Sequence, residues 1–287
     1  MLLEETFMPT TEQKISALRQ AAQSSPEYAE IVPLFIGIYE YQRDRETLTG
    51  ITIEPAHTDA KERIDESFPL INVSDLNVDR KQNVTFLLGI IEVLSLKGQE
   101  NAEFLQKIGT ALREGAIDPV ALYGAILERR RAPINDISNE LAVPAPLVEY
   151  IFEIPLKTAL ENFSAGYGSD DFAGWQESFC PVCGSRAGMA ELSGEEGRRM
   201  LSCSACSFNW QFKRLTCAYC GCDDPEKLSY FTAGDGSTRV DTCKACSRYI
   251  KTRDSRKGGS DVPLEVEDLL TIHLDLLASR EGFERGK

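Results

Sequence analysis

The sequence predicts an α+β protein: an N-terminal helical bundle, two tandem four-cysteine modules of the zinc-ribbon type, and a C-terminal helix. Three observations carry this. Apolar residues recur at helical spacing through the first 165 or so of the 287 residues, with almost no β-branched alternation. Eight of the nine cysteines form four Cys-x-x-Cys pairs between Cys180 and Cys246, and the ninth lies among them. Finally, "VPLEVEDLLTIHLDLLASREGF" near the end of the chain is amphipathic at helical period. The expected organisation is a helical domain over 1–165, a linker over 166–178, four-cysteine modules over 179–214 and 215–258, and the closing helix over 259–287.

In the first half, "TEQKISALRQAAQ" offers Thr11 as N-cap, with Ile15, Leu18 and Ala22 on one face. "SPEYAEIVPLFIGIYEYQRDRETL" opens with Ser25 as cap and Pro26 at the first helical position, and Pro33 predicts a kink or a split. "NVDRKQNVTFLLGIIEVLSLKG" places Val84, Leu87, Leu88, Ile91 and Leu94 on one face and ends at Gly98 as a C-cap. "DPVALYGAILERR" repeats the cap logic with Asp118 and Pro119, and "INDISNEL" and "APLVEYIFEIPLKTALENF" carry the helices to Phe163. Residues 51–76 are the least regular and predict a long loop over the bundle. His57 lies in that loop without a ligand pattern around it, and is expected to be a surface or hydrogen-bonded histidine.

Composition then changes. "SAGYGSDDFAGWQES" is rich in Gly, Ser and Asp and reads as a linker, and "RDSRKGGSD" as a second joint. In the closing helix Asp261 is the expected cap. Val266, Leu269, Leu270, His273, Leu274 and Leu277 form its stripe, which must be covered, and His273 is expected to be a packing residue.

The cysteines decide the chemistry. Cys180 and Cys183 precede Cys203 and Cys206, and Cys217 and Cys220 precede Cys243 and Cys246. Each half is Cys-x-x-Cys, about twenty residues, Cys-x-x-Cys, the spacing of a four-thiolate metal site. Two intervening residues let one tight turn aim both sulfurs at an ion, and a short ribbon brings the second turn to its other side. In "CPVCG" and "CAYCG" a Gly follows the second Cys, where positive φ lets backbone N–H groups point at sulfur. "SYFT" and "TRVDT" suit strands around an "AGDGS" hairpin, with "GMAEL", "SGEEG" and "RRMLSC" in the equivalent places of the first half. The pattern is a tandem duplication. Ribbons this small bury too little surface to fold alone, and a structural ion supplies on the order of 10 kcal/mol. Thiolate tetrahedra suit zinc and a single iron alike, and both sequential pairing and an interleaved cross-brace satisfy the spacing. Cys222 stands outside the pairs as a bystander, with a spare ligand or oxidation-sensitive thiol as the alternative. Trp210 is expected to pack over the first ribbon rather than stack a base.

A formal charge of −14 argues against a nucleic-acid binder, and no apolar run approaches the ~20 residues of a membrane helix. The N-terminal "MLLEETFMPTTEQK" has acidic residues where a leader would carry Lys or Arg, which predicts a cytoplasmic protein. There disulfides are disfavoured, and nine thiols cannot pair completely within one chain. Residues 212–257 depart from the overall acidity, with ten Lys and Arg against six Asp and Glu. Arg214, Lys244, Arg248, Lys251 and Arg253 are the candidate patch for an acidic protein or nucleic acid, or an ordinary solvated face.

The segments "CPVCGS", "LSCSACSFNW", "CAYCG", "CKACSRYIKT" and "EVEDLLTIHLDLLASREGFER", in that order, resemble the FdhE family of formate dehydrogenase accessory proteins. The resemblance spans most of the chain, more weakly in the helical half. It implies a helical domain followed by two rubredoxin-like modules, with Cys180, Cys183, Cys203, Cys206, Cys217, Cys220, Cys243 and Cys246 as the metal ligands. It also implies a cytoplasmic assembly factor that binds the catalytic subunit of a respiratory formate dehydrogenase before export, and it favours iron over zinc. Ala187, where the family commonly has Pro, and the additional Cys222 are departures that replace no ligand.

The function expected from all this is a metal-containing assembly chaperone without catalysis of its own. A closed four-thiolate site leaves no open coordination position, and no triad, phosphate loop or dinucleotide fingerprint is present. The alternatives are a rubredoxin-like redox or iron-donating protein and, more weakly, a nucleic-acid-binding zinc ribbon.

Overall fold

The structure, a computed structural model, describes residues 8–24, 28, 30–55, 60–97, 101–233, 236–257 and 261–286. The chain divides into two units: Thr10–Ala56 with Ile71–Phe163, and Met1–Pro9 with His57–Leu70 and Ser164–Lys287. Helices and sheet are thus largely segregated, the α+β arrangement expected. Among the described residues no helix is long and apolar enough to cross a membrane.

In order along the chain, the first unit contains α1 (Thr11–Ser24), α2 (Val32–Arg43), β1 (Ile51–Ile53) and β2 (Leu76–Val78). A short α3 (Ala60–Asp65) between these strands belongs to the second unit. The first unit continues with α4 (Arg80–Lys97), α5 (Ala102–Glu114), α6 (Pro119–Leu127), α7 (Arg131–Leu141) and α8 (Ala145–Ser164), the last residue of α8 falling in the second unit. Capping chemistry sets several of these limits. Thr10, not Thr11, caps α1: its Oγ1 accepts the Gln13 N–H while Gln13 Oε1 accepts the Thr10 N–H, a reciprocal capping box. Asp118 caps α6 as expected, accepting the Val120 N–H ahead of Pro119. Pro33 does not interrupt α2, which begins at Val32, and the part of the expected helix before it falls partly outside the described residues. The proline lies in the first turn of α2, where its missing N–H is no loss. The expected caps at Ser25, Pro26 and Gly98 lie outside the described residues, as does His57.

Of the face predicted for α4, Leu87, Ile91 and Leu94 are buried and Val84 and Leu88 half-buried, while Phe86 and Ile90 beside them are also buried. Ile15 and Leu18 of α1, Ile108 and Leu112 of α5, and Ile151, Phe152 and Leu160 of α8 are buried too. One polar group is wholly enclosed. Asn83 of α4 donates Nδ2–H to the Thr49 carbonyl at 2.8 Å and accepts the Tyr123 hydroxyl of α6 at 2.9 Å. Burial of a side-chain amide costs little when its groups are paired. This one ties the entry to β1 to two helices. The 51–76 stretch is more regular than the sequence suggests, because β1 and β2 close it as an antiparallel pair from Ile51↔Val78 to Ile53↔Leu76.

The second unit is built on one sheet. Its strands are β3 (Ala187–Ser193), β4 (Arg198–Cys203), β5 (Asn209–Gln211), β6 (Leu228–Thr232), β7 (Thr238–Cys243), β8 (Arg248–Asp254) and β9 (Glu284–Arg285). The strand order is β5-β4-β3-β8-β7-β6, with β9 beside β8. Each half is therefore a three-stranded antiparallel meander, and the two are not separate beads. β3 and β8 pair in parallel from Met189↔Lys251 to Leu192↔Asp254. The first strand of one ribbon meets the last strand of the other.

The sequence expected one closing helix. It is two, α9 (Leu264–Leu270) and α10 (Ile272–Arg280), broken at Thr271 with φ −114° and ψ 28°. Asp261 is not the cap, since Pro263 occupies that place. The break also shifts the helical phase, so His273 is exposed instead of packed. Leu274 and Ala278 are buried with Val240 and Tyr249 of the sheet, edged by Leu277, Phe231 and Phe283.

Beneath this apolar contact lies an ionic one. Lys251, whose side chain is 0 % exposed, meets Asp268 at 2.8 Å and Asp275 at 2.6 Å. Arg285 contacts both carboxylates as well, and the Tyr249 hydroxyl donates to Asp275. Arg253 reaches Glu191 directly across the β3–β8 seam at 2.8 Å and Glu267 of α9 at 3.0 Å. Two of the five residues of the expected basic patch are thus consumed internally. Their heads are neutralised by acids from the closing helices and β3.

Removing one partner of a buried ion pair leaves an uncompensated charge. Lys251→Met is expected to destabilise the metal-loaded protein by about 3 kcal/mol, read as a lower urea midpoint at unchanged slope.

Candidate metal centres

The four knuckles share one backbone plan. In the first, the Gly184 N–H donates to the Cys180 carbonyl at 2.9 Å, and the Cys180 N–H donates to the Ser185 carbonyl at 2.8 Å. In the third, Gly221 donates to Cys217 at 3.1 Å and Cys217 to Cys222 at 2.8 Å. Gly184 and Gly221 have φ of 72° and 70°, the left-handed conformation that closes the turn without a Cβ clash. The second and fourth knuckles put Ser207 and Ser247 there, at φ 56° and 55°. The equivalence of these four positions was visible in the sequence as Gly, Ser, Gly, Ser after each second cysteine. Ser carries no such signal in a sequence, because it is not a usual left-handed residue.

The turns bring the sulfurs together in two sets. Cys180, Cys183, Cys203 and Cys206 form one, and Cys217, Cys220, Cys243 and Cys246 the other, with the four Sγ atoms of each set within 4.8 Å of one another. Pairing is sequential within each half, so the interleaved cross-brace is excluded. Sulfur separations are 3.5 Å for Cys180–Cys206 and Cys183–Cys203, and 3.7 Å for Cys217–Cys246 and Cys220–Cys243. Four thiolates at ~2.3 Å from an ion lie about 3.8 Å apart, while a disulfide closes to ~2.05 Å. The observed spacing fits the first. Backbone N–H groups approach sulfur as well: Ala205 to Cys203 at 3.4 Å and Tyr219 to Cys217 at 3.4 Å. Such bonds disperse thiolate charge.

The electrostatics of the clusters suit a cation. Contacts from the Cys180, Cys203 and Cys206 thiols hold Cys183 well below the usual range, while burial pushes Cys180 and Cys206 well above it. A cation among the four sulfurs would favour their charged forms against the cost of burial. In the second set burial pushes Cys243 up to about 11 and raises Cys246 also. Burial acts upward on Cys220 too, but the Cys222 backbone and the neighbouring thiols outweigh it and bring it down.

The first set is enclosed. Trp210 is 1 % exposed, with its indole N–H directed at the Glu177 carbonyl, so it packs into the ribbon as expected. Residues 166–178, read as a linker, carry a tight turn over Ser169–Phe172 and bury Phe172 and Trp175. Phe172 stacks edge-on against Phe208 at 5.3 Å, and the Trp175 indole donates to Phe179. The Ser164 hydroxyl donates to the Cys206 carbonyl at 2.8 Å, and the Leu70 N–H to Pro181 at 2.8 Å. The two centres are also tied to each other. The Tyr219 hydroxyl, from the third knuckle, donates to Ala187 of β3, and Arg199 of β4 donates to Thr216 at 2.7 Å. Cys222 lends its backbone to the third knuckle at the place of Ser185 and takes no part in either sulfur cluster.

Residues 179–214, which hold the first four cysteines, match the family model described as "FdhE, central domain". The FdhE resemblance read from the sequence holds. A protein named FdhE homolog from Aquifex aeolicus (strain VF5) is 38% identical over 113 residues, 38% of this chain and 40% of that protein. One from Edwardsiella ictaluri (strain 93-146) is 32% identical over 116 residues, 39% of this chain and 37% of that protein. These matches span about two-fifths of the relatives' length. The crystal structure of the FdhE protein from Pseudomonas aeruginosa has the same fold, with a TM-score of 0.67 at 19% identity, covering 97% of this chain and 95% of that one.

The four left-handed residues make a direct test. In Gly221→Ala the added methyl meets no atom within 4 Å, so only the backbone objects, and a loss of about 1 kcal/mol in denaturant unfolding is expected. Ser247→Gly is expected to gain stability of similar size, ~0.5–1 kcal/mol, by removing the same penalty.

Proposed function

We propose that this protein is an assembly factor for formate dehydrogenase, acting in the cytoplasm by binding the catalytic subunit and performing no catalysis itself. The observation that carries this reading is the pair of four-sulfur clusters joined in one sheet, in a segment similar to the FdhE central domain. Cys180, Cys183, Cys203 and Cys206 hold one ion in this reading, and Cys217, Cys220, Cys243 and Cys246 the second, each as a rubredoxin-like or zinc-ribbon centre of iron or zinc. An ion bound this way supplies cross-links that small ribbons lack, and as iron it also supplies one-electron chemistry. Four thiolates fill its coordination sphere, which leaves no position for a substrate or an activated water. The chain's own residues then make a rigid surface, fixed by the β3–β8 seam and the Lys251 and Arg253 ion pairs.

A second reading, a redox or iron-donating protein, draws support from Cys220, which is exposed, and Cys246, which is half-buried. A nucleic-acid-binding ribbon is disfavoured by the internal pairing of Lys251 and Arg253.

The test is co-purification. Tagged protein recovered from formate-grown cells should retain the formate dehydrogenase catalytic subunit, and absence of association at low and moderate salt would overturn the assembly reading. Metal analysis of anaerobically purified protein should give two ions per chain, falling to one in Cys203→Ser.

A further inference from the structure

The duplicated centres are not equally protected, and the difference can be read position by position. In the first, all four cysteines are buried. In the second, Cys217 and Cys243 are buried, Cys246 is half-buried and Cys220 is exposed. The strand register shows which residues stand at equivalent places beside the two centres. Opposite Cys203, the residue whose carbonyl accepts its N–H is Phe208, 2 % exposed and stacked on Phe172. Opposite Cys243, the same place holds Arg248, only partly buried. Two residues further on, Trp210 of the first ribbon corresponds to Ile250 of the second, a much smaller cover. The lead-in segments differ likewise. Phe172 and Trp175 are buried ahead of Cys180, whereas Leu215, two residues ahead of Cys217, is 77% exposed.

We propose that the Cys217, Cys220, Cys243 and Cys246 centre exchanges its ion with thiol ligands from solution, Cys220 being the ligand that releases first, while the Cys180 centre holds its ion shut. This rests on the metal-binding part of the proposed function and goes beyond it by giving the two centres different roles. The exchange is a ligand substitution. An incoming thiol forms a sulfur bond to the ion and passes its proton to the Cys220 sulfur as the Cys220–ion bond breaks. The ion keeps four sulfur ligands, and no electron is transferred. The enclosed centre offers no comparable approach, because all four of its cysteines are buried.

The experiment uses the full chain loaded with two zinc ions, challenged with glutathione and a chromogenic pyridylazo chelator, with iodoacetamide added at intervals and the alkylated cysteines mapped by mass spectrometry. One ion is expected to leave about tenfold or more faster than the other, with alkylation at Cys220 before any of Cys180, Cys183, Cys203 or Cys206. Cys220→Ser should leave one slowly released ion, and Arg248→Phe should slow the fast phase in an otherwise intact site. Release of both ions at one rate, first alkylation in the Cys180 set, or two slowly released ions in Cys220→Ser would overturn the inference while leaving metal binding intact. A chain that carries no ion before the challenge would overturn metal binding and this inference together.

Discussion

Everything in the cysteine unit depends on one electrostatic constraint: four sulfurs held at van der Waals distance cannot all carry charge unless a cation sits among them. The knuckles impose the proximity, through left-handed residues that turn the chain back within four positions. Burial then sharpens the conflict by removing the water that would otherwise stabilise thiolates. Each ribbon is short, and neither has an interior of its own beyond the residues around its sulfurs. The sulfur cluster, the turn and the strand pairing are therefore one cooperative element, and a change in any of them is felt by the others.

The seam between β3 and β8 extends that element across both copies. Parallel pairing between strands distant in sequence is favoured here by what surrounds it. Arg253 faces Glu191 directly across the seam, and Lys251 sits two register pairs from it, anchored by carboxylates of α9 and α10. The closing helices act as a clamp with an apolar face and an acidic face, gripping β7 and β8 through Val240, Tyr249, Leu274 and Ala278. The family-like "YIKT" segment thereby acquires a physical meaning. Tyr249, Ile250, Lys251 and Thr252 are all buried, and the first and third of them address the clamp.

Much of this was legible in the residues. The cysteine spacing identified both sulfur sets and the ribbons around them, and helical periodicity located part of the buried faces of α1 and α4, Ile15 and Leu18 in one and Leu87, Ile91 and Leu94 in the other. The misses have physical causes. Thr10 and Thr11 are adjacent and equally able to cap, and only the partner Gln13 decides between them. Phe172 and Trp175 are scattered among Gly, Ser and Asp, so their window reads as polar although both are buried. Lys251 and Arg253 look like surface charge because the acids that neutralise them lie far away in sequence, with Glu191 about sixty positions upstream. His273 moved to the exterior because the helix breaks at Thr271, whose hydroxyl caps back onto the Glu267 carbonyl at 2.7 Å. The seam itself left no local trace, since strand pairing between repeats is not marked by periodicity.

The way the copies join has a consequence for how they can diverge. The seam unites unlike strands, the leading one of the first ribbon and the trailing one of the second, so no two-fold axis relates the halves. A duplicated pair meeting through like strands would place matching positions in matching surroundings and keep them under common constraint. Here the same position in each copy sees a different neighbourhood: β3 is interior to the sheet while its counterpart β6 lies at an edge, and β8 is interior while β5 lies at the opposite edge. Each ribbon was thus free to specialise without dragging its twin along.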